Sequence, residues 1–428
     1  MSVGEKMYNL CDKMFPICRS ITGGGVRHTL SVIREVVPEI TVHEVPTGTK
    51  VFDWTVPKEW RISDAWVKNS KGEKIIDFKK HNLHVLGYSI PVDRKVNLAE
   101  LKKYLYTQQD QPDAIPYVTS YYKERFGFCL SQKQYDALPE DTYHMFIDSE
   151  LFNGSLTYGE LIIPGESDEE ILISTYFCHP SMANNELSGP AVSVYLAKWL
   201  MEKESRRYTY RFVYVPETIG SITYLSQENH LEYLKKHVIA GWNLSCVGDD
   251  RTYSVVSTRY GNTLADRVTK NILRFIYPNY KQYSFLQRGS DERQYNAPGV
   301  DLPVCGFSRS KYGEYPEYHT SKDDMGLISP AGLSGAYNVM TECIEALENN
   351  RRYKIQCFGE PQLGKRGLYP TISQKGNYDE VATLTNFIAY ADGKNDLFDI
   401  SEIINVPVKN LIPVVKKLSA VDLIKAVD

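Results

Sequence analysis

The stretch Ile171 to Leu200, ILISTYFCHPSMANNELSGPAVSVYLAKWL, decides the fold. Ile171 to Phe177 is a short run of apolar, β-branched and aromatic residues, the composition of a strand covered on both faces. From Gly189 onward the apolar positions recur at helical spacing. The loop between them carries His179, Asn184, Asn185, Glu186 and Ser188. Ligand-type side chains therefore stand where the carboxyl end of a strand meets the next helix, the edge at which open α/β sheets bind ligands.

The alternation continues downstream. Arg211 to Val215, Gly241 to Val247 and Leu302 to Gly306 read as further strands, and Ala191 to Glu204, Thr263 to Ile276 and Ala331 to Leu347 as helices. This order predicts an α/β fold with a largely parallel central sheet flanked by helices. Each strand then delivers a polar loop to the same rim: Pro216-Glu217-Thr218-Ile219-Gly220-Ser221, then Ser245-Cys246-Val247-Gly248-Asp249-Asp250, with Gly289-Ser290-Asp291-Glu292 and Glu317-Tyr318-His319-Thr320-Ser321-Lys322-Asp323-Asp324 after them.

Upstream, Met7, Leu10 and Met14 mark one helix and Val26 to Val36 another, separated by Arg19-Ser20-Ile21-Thr22-Gly23-Gly24-Gly25. Three glycines at a helix start could present N–H groups to an anion. No strand precedes them and no GK[ST] follows, so a plain interhelix loop is expected. Between 41 and 143 the texture becomes aromatic and turn-rich, with short strands expected at Val51 to Trp54, Trp60 to Ile62, Ala65 to Val67 and His84 to Tyr88. His81 and His84 within this β-rich insertion lack an acid or cysteine at metal-site spacing, so they read as hydrogen-bonded histidines of a turn.

Composition bounds the function. The chain has 428 residues, enough for two or three cored domains, with 24% charged and 42% hydrophobic residues. A net charge of -4 argues against coating nucleic acid or anionic membrane. The eight cysteines show no CxxC pair, the usage of reduced thiols in a cytoplasmic protein. The N-terminus has no secretory signal pattern, and no run of eighteen apolar residues predicts a membrane span. In the tail, Ile400 to Ile404 and Val408 to Leu418 outline a helix-turn-helix about Asn405 to Pro407, with Pro413 expected to interrupt the second helix. From Lys365 to Asp428, eight basic residues meet eight acidic ones, so a protein-contact role is expected over DNA reading.

The ordered rim loops resemble the co-catalytic zinc aminopeptidases of phosphorylase/hydrolase-like fold: His179; Asn185-Glu186-Leu187-Ser188-Gly189; Glu217-Thr218-Ile219-Gly220; Ser290-Asp291-Glu292; Tyr318-His319-Thr320-Ser321-Lys322-Asp323. More narrowly, the whole chain is similar to bacterial aminopeptidase-like proteins with an inserted β-rich domain and a C-terminal winged helix, often associated with surface-polysaccharide biosynthesis. That resemblance implies domains at 1–40 with 144–350 (aminopeptidase-like), 41–143 (inserted, β-rich) and 365–428 (winged-helix-like).

The resemblance further implies zinc chemistry in which two ions roughly 3.5–4 Å apart acidify a water while a Glu moves its proton. It puts Glu217 in the place of the general base and His179 and His319 in two ligand places, with Asp323 a candidate for orienting an imidazole. The departures are equally specific. Asn185 stands where the family has a bridging Asp, Thr218 and Ser245 replace two further acidic ligands, and Ser181 replaces an Asp that supports the first His, so two of five ligands survive. Two ions carry four positive charges, which such a pocket is poorly built to hold. Glu186 and Asp249, close to vacated positions, are the candidate substitutes, and one ion or a rearranged site is expected.

The metal candidates are thus His179, Glu186, Asp249 and His319, with Asn185, Asp291, Glu292 and Tyr318 as candidate substrate contacts. The plainer readings are a hydrogen-bonded loop histidine for His179, a helix cap for Glu217 and a solvated acidic loop for Asp291 and Glu292. Cys178 and Cys246 are expected to be inert. The expected activity is metal-dependent hydrolysis of an amide-type bond in a small peptide, aminoacyl or amino-sugar-type substrate, without nucleic acid. The alternative is a non-catalytic aminopeptidase-like protein that binds a polar ligand or serves assembly in polysaccharide biosynthesis. A homo-oligomer stays an open expectation.

Overall fold

In the computed structural model, which describes residues 1–368 and 377–427, an eight-stranded sheet forms the frame of the α/β body. Residues 369–376 and 428 of the expected C-terminal domain lie outside the described residues. The sheet runs Thr41–Pro46, Ser155–Ile163, Thr209–Val215, Glu170–Tyr176, Val238–Leu244, Val304–Ser308, Ser254–Val256, Lys281–Tyr283. The four strands at its heart are mutually parallel, and the antiparallel pairs lie to either side of them. Every residue of Glu170–Tyr176 and of Thr209–Val215 is buried, which is why both read as near-continuous apolar runs. Their charged exceptions are paired: the Arg211 guanidinium donates to Glu170 and, at 2.6 Å, to Glu160.

The helix Ser188–Met201 follows the central strand and is buried along most of its length. Gly189 lets it approach so closely because a Cβ there would sit 2.3 Å from Thr175 Oγ1 and 2.4 Å from the Leu244 carbonyl oxygen. Gly25, in the triple-glycine segment, is likewise a packing residue: a Cβ would meet the Cys18 carbonyl oxygen at 1.9 Å.

The strand Thr41–Pro46 pairs with Ser155–Ile163 in the main sheet, and Thr142–Phe152 belongs to the inserted sheet, so both ends of the insertion lie several residues further along the chain than expected. The inserted sheet is antiparallel, ordered Lys74–Asp77, Glu59–Lys68, Thr142–Phe152, Val92–Asn97, over a core that includes Val67, Phe128 and Met145. Two expected strands change here. Val51 to Trp54 is a tight hairpin between Lys50–Val51 and Trp54–Thr55, turning at Phe52 with φ 53°. Asn82–His84 is a single 3-10 turn, after which Val85 and Gly87 form only isolated bridges. His81 Nδ1 accepts the Leu83 N–H at 3.1 Å within the turn, and His84 Nδ1 lies 2.7 Å from the Cys129 carbonyl of the strand Phe128–Cys129, so each histidine has a structural partner.

By packing, the chain divides into Met1–Gly261 with Lys281–Tyr337, and Asn262–Tyr280 with Asn338–Asp428. In the second unit, Asn377–Tyr390, Leu397–Ile404 and Val408–Ala420 are helices, and Arg352–Ile355 pairs antiparallel with Ile424–Val427. The last helix runs through Pro413 instead of stopping there. Pro413 is exposed and forgoes only the one hydrogen bond its missing N–H would have made. No helix among the described residues is long and apolar enough to cross a membrane.

Candidate active site at the sheet rim

The site is built where the carboxyl ends of Glu170–Tyr176 and Thr209–Val215 open into loops. A single π-helical turn, Ala183–Leu187, connects the first loop to its helix. Such turns recur at functional sites because the extra residue redirects a side chain. Here Glu186 faces back on His179: one oxygen pairs with Nδ1 and the other accepts the His179 backbone N–H at 2.8 Å. His179 Nε2 then faces Glu217 Oε2 across 3.9 Å. The buried Arg19 clamps the same residue from behind, donating to the His179 carbonyl at 3.2 and 3.0 Å and to the Met14 carbonyl at 2.6 Å.

Glu217 is presented by strained backbone. Thr218 lies at φ 64°, ψ -77°, and the Ile219 N–H reaches back to the Glu217 carbonyl at 2.8 Å, closing a rare three-residue turn. Three contacts hold it. Asp291 Oδ1 accepts the Thr218 N–H at 2.7 Å and the Ser221 hydroxyl at 2.8 Å, and Arg293 donates to Thr218 Oγ1 at 2.6 Å. Ser181, Cys246 and His319 also have positive φ, of 50°, 53° and 56°, so strained residues gather along these loops.

The insertion completes the cleft. Its segment from Gln111 to Tyr121 is laced to the last rim loop: Gln111 donates to the Pro316 carbonyl, Tyr117 N–H to the His319 carbonyl at 2.9 Å, and Ser321 N–H to the Ile115 carbonyl at 2.9 Å. The Tyr117 ring packs 4.6 Å from the His179 ring and 5.2 Å from that of His319, the two histidine rings lie 5.1 Å apart, and Tyr318 stacks on His319 at 3.9 Å.

Burial and neighbouring charge set the proton affinities. Burial alone would lower His179, yet Glu186 and Glu217 hold it above the ordinary histidine value. Burial raises Glu217, with His179 opposing, and burial together with Glu217 lifts Asp291 to about 8. His319 is pushed well down by burial and by His179, which favours the neutral imidazole, and its Nε2 is buried with no hydrogen-bond partner among the described residues. Burial raises the thiols of Cys178 and Cys246 far above the usual range, which keeps them protonated and inert.

Of the residues singled out in the sequence, the structure gathers His179, Glu186, Glu217, Tyr318 and His319 about this cleft, with Asp291 behind the turn that carries Glu217. It disposes of the others differently. Asp249 accepts Ser310 Oγ, Ser310 N–H and Arg251 N–H, each at 2.9 Å, and so knits loops together. Glu292 accepts the Gly289 N–H at 2.9 Å, the Ser290 N–H at 3.1 Å and the Tyr312 hydroxyl. Asn185 Oδ1 accepts the Tyr176 hydroxyl at 2.8 Å. Asp323 supports no imidazole: it takes the Asn184 and Asn185 N–H groups at 2.6 and 3.1 Å and the Tyr315 hydroxyl at 2.9 Å. Sequence reasoning passed over Arg19, Tyr117, Tyr121 and Arg293. The tyrosine-rich run at 117–122 was the available signal, and only folding shows it facing the rim.

The donor set fits one divalent ion and not two. With Nδ1 engaged by Glu186, His179 keeps Nε2 as the nitrogen for an ion, and Glu217 Oε2 stands 3.9 Å from it, near enough to act as a base beside that ion. Glu186 orients the imidazole as carboxylates behind ligating histidines do, and His319 offers a neutral, unpartnered nitrogen. Among the described residues, Cys178, His179 and Glu186 form a group of metal-type donors whose ligand atoms lie within 4.8 Å of one another. Asn185, Thr218 and Ser245 bring no charge for a second ion.

A largely parallel sheet flanked by helices, with its polar site at this rim, is the architecture of the zinc aminopeptidases, and the chain is an aminopeptidase-like protein with a C-terminal winged helix. A family model described as a domain of unknown function, DUF4910, matches residues 8–350, and a winged helix-turn-helix model matches residues 351–426. The chain belongs to that DUF4910 family. A Clostridium acetobutylicum protein, provisionally named a polysaccharide biosynthesis protein with an aminopeptidase-like domain, is 49% identical over 402 residues, 93% of this chain and 91% of that one. A crystal structure from the same organism, provisionally named a peptidase, superposes with a TM-score of 0.93 at 46% identity over 99% of this chain and 96% of that one. The zinc aminopeptidase of Bacillus subtilis shares the fold, with a TM-score of 0.59 at 15% identity over 80% of this chain and 94% of its own.

Proposed function

We propose that the protein hydrolyses an amide-type bond in an aminoacyl or amino-sugar-type substrate, with Glu217 as general base. The observation that supports this best is His179 held by Glu186 and turned so that Nε2 faces Glu217 across 3.9 Å. A base with a carboxyl raised by burial holds a proton more readily near neutral pH, so Glu217 can take one from an attacking water and return it to the leaving amine. His179 and His319 would hold a zinc ion, which supplies electrophilic activation of the carbonyl and of water. Arg19 and Glu186 keep His179 in place, and Asp291 with Arg293 keeps Glu217 in place. The name of the Clostridium relative supports a setting in polysaccharide biosynthesis, and the cysteine usage a cytoplasmic one.

A second reading, ligand binding without hydrolysis, is favoured by the neutral residues Asn185, Thr218 and Ser245. Elemental analysis of chelator-free protein, combined with a screen of aminoacyl and N-acyl amino-sugar amides with and without zinc, separates the two. One ion per chain and zinc-dependent turnover are expected. Absence of metal together with background rates would remove the hydrolase reading.

A further inference from the structure

Arg293 stands beside the base with most of its donors unspent. It is half-buried, and its Nη2 donates at 2.6 Å to Oγ1 of Thr218, the residue next to Glu217. Its Nε–H is buried without a hydrogen-bond partner, and the guanidinium forms no ion pair among the described residues. Elsewhere buried and half-buried arginines are matched with acceptors. Arg27, Arg211, Arg259 and Arg267 each pair with a carboxylate, and Arg309 donates to the Thr252 and Gly332 carbonyls at 2.6 and 3.0 Å. The Arg293 charge also reaches the cleft. Burial raises the carboxyls of Glu217 and Asp291 and the hydroxyl of Tyr122, and Arg293 pulls all three the other way.

We infer that Arg293 is a specificity residue whose guanidinium binds a carboxylate of the substrate, close to the amide on which Glu217 acts. The inference rests on the hydrolase reading for the bond that is cut, and on the Arg293 contacts alone for the charge that is bound. A guanidinium presents its N–H donors in a planar fork, and only one of them is taken by Thr218. A planar carboxylate matches that fork. A guanidinium held partly out of water without a counter-charge is costly, and an anionic ligand offsets the cost. One negative charge suits the place better than the two of a phosphate, because Glu186 and Glu217 already set carboxylates about His179. Thr218 also stands where the resemblance has an acidic metal ligand, so the residue in that place contacts a cation of the chain itself. Two sources carry such a group: the α-carboxyl of an amino acid and the uronate of an amino-sugar acid.

The test uses the full chain freed of metal by chelator, so that binding is read apart from turnover. Calorimetry and saturation-transfer NMR compare alanylalanine with its C-terminal amide, and N-acetylglucosaminuronic acid with N-acetylglucosamine. In at least one pair the carboxylate should bind tighter by about tenfold or more, and Arg293→Met, which keeps the apolar stem, should abolish the preference. Arg293→Lys, which keeps the charge and loses the fork, should retain part of it. A preference in the first pair assigns the α-carboxyl, and one in the second the uronate. An arginine that only positions Glu217 would, when substituted, leave the ratio of the two affinities unchanged. Melting temperatures check folding, and the Arg293→Lys comparison stands if Arg293→Met does not fold. Equal binding within both pairs, a preference that survives substitution of Arg293, or tighter Arg293-dependent binding of the phosphate ester of N-acetylglucosamine would each overturn the inference. No turnover of any amide, with the binding preference retained, would remove the hydrolase reading and leave the carboxylate site standing.

Discussion

Thr218 holds a conformation a β-branched residue adopts only when its surroundings impose it, and the imposition has a visible purpose, since the turn aims Glu217 at His179. Thr218→Gly should therefore raise the melting temperature by relieving about 1–2 kcal/mol of strain while lowering turnover. A lower melting temperature would show that the lost Arg293–Thr218 hydrogen bond and the added chain freedom of glycine outweigh the strain. Glu217→Gln should cut turnover by about 10²–10⁴-fold with the metal content unchanged, read by steady-state rates and elemental analysis; a normal rate would exclude Glu217 as the base.

His81 gives a pH prediction away from the site. Burial, with His84 adding to it, lowers it to about 4, and its Nδ1 must stay unprotonated to accept the Leu83 N–H. The folded protein then binds fewer protons than the unfolded chain between about 4 and the ordinary 6.5. Its contribution to stability is complete above that window and lost as pH falls through it. His81→Asn, which can still cap the turn, should flatten the pH dependence of urea unfolding there, and an unchanged slope would refute the depressed affinity.

Among the elements, the π-helical turn and the segment 111–121 do most to make the site. The turn converts the neutral Asn185 from an expected contact into an internal hydrogen-bond partner and turns the next residue, Glu186, onto His179. The 111–121 segment brings Tyr117 from the insertion between two histidines of the α/β body. In the winged unit, the helix Leu397–Ile404 is started by Asp396, which accepts the Asp399 N–H at 2.9 Å and pairs with Arg267 at 2.9 and 3.0 Å. Burial pushes the Asp396 carboxyl up, but the Arg267 and Asp399 hydrogen bonds outweigh it and hold it below the usual range. That contribution is present above the ordinary 3.8 and lost as pH falls through the lowered value. Asp396→Ala should cost about 1–2 kcal/mol in urea unfolding at neutral pH, and less in acid.

At the scale of the whole molecule, the winged unit invites comparison with DNA-binding domains, and its charge balance gives the expectation of no duplex binding. Eight basic residues against eight acidic ones from Lys365 to Asp428 leave no net field to release counterions, so duplex affinity should be weaker than about 100 μM at physiological salt by anisotropy. Tighter, salt-dependent binding would contradict this.

The α/β frame was legible before folding because its strands bury both faces and its helices one, and burial imposes a period on residue type that survives in a linear string. Following those strands located the loops of His179 and Glu217, while the grouping of His319 with them came from the resemblance to the zinc aminopeptidases. Carboxylates were not legible in this way. Asp249, Glu186, Glu292 and Asp323 differ in whether their oxygens meet N–H groups of their own loops or open onto the cleft, and that depends on contacts across tens to hundreds of residues. Sequence alone thus determined the architecture and the identity of the rim. Only the tertiary structure decided which acid serves which partner, because hydrogen bonds are satisfied by neighbours in space, and spacing along the chain does not encode them.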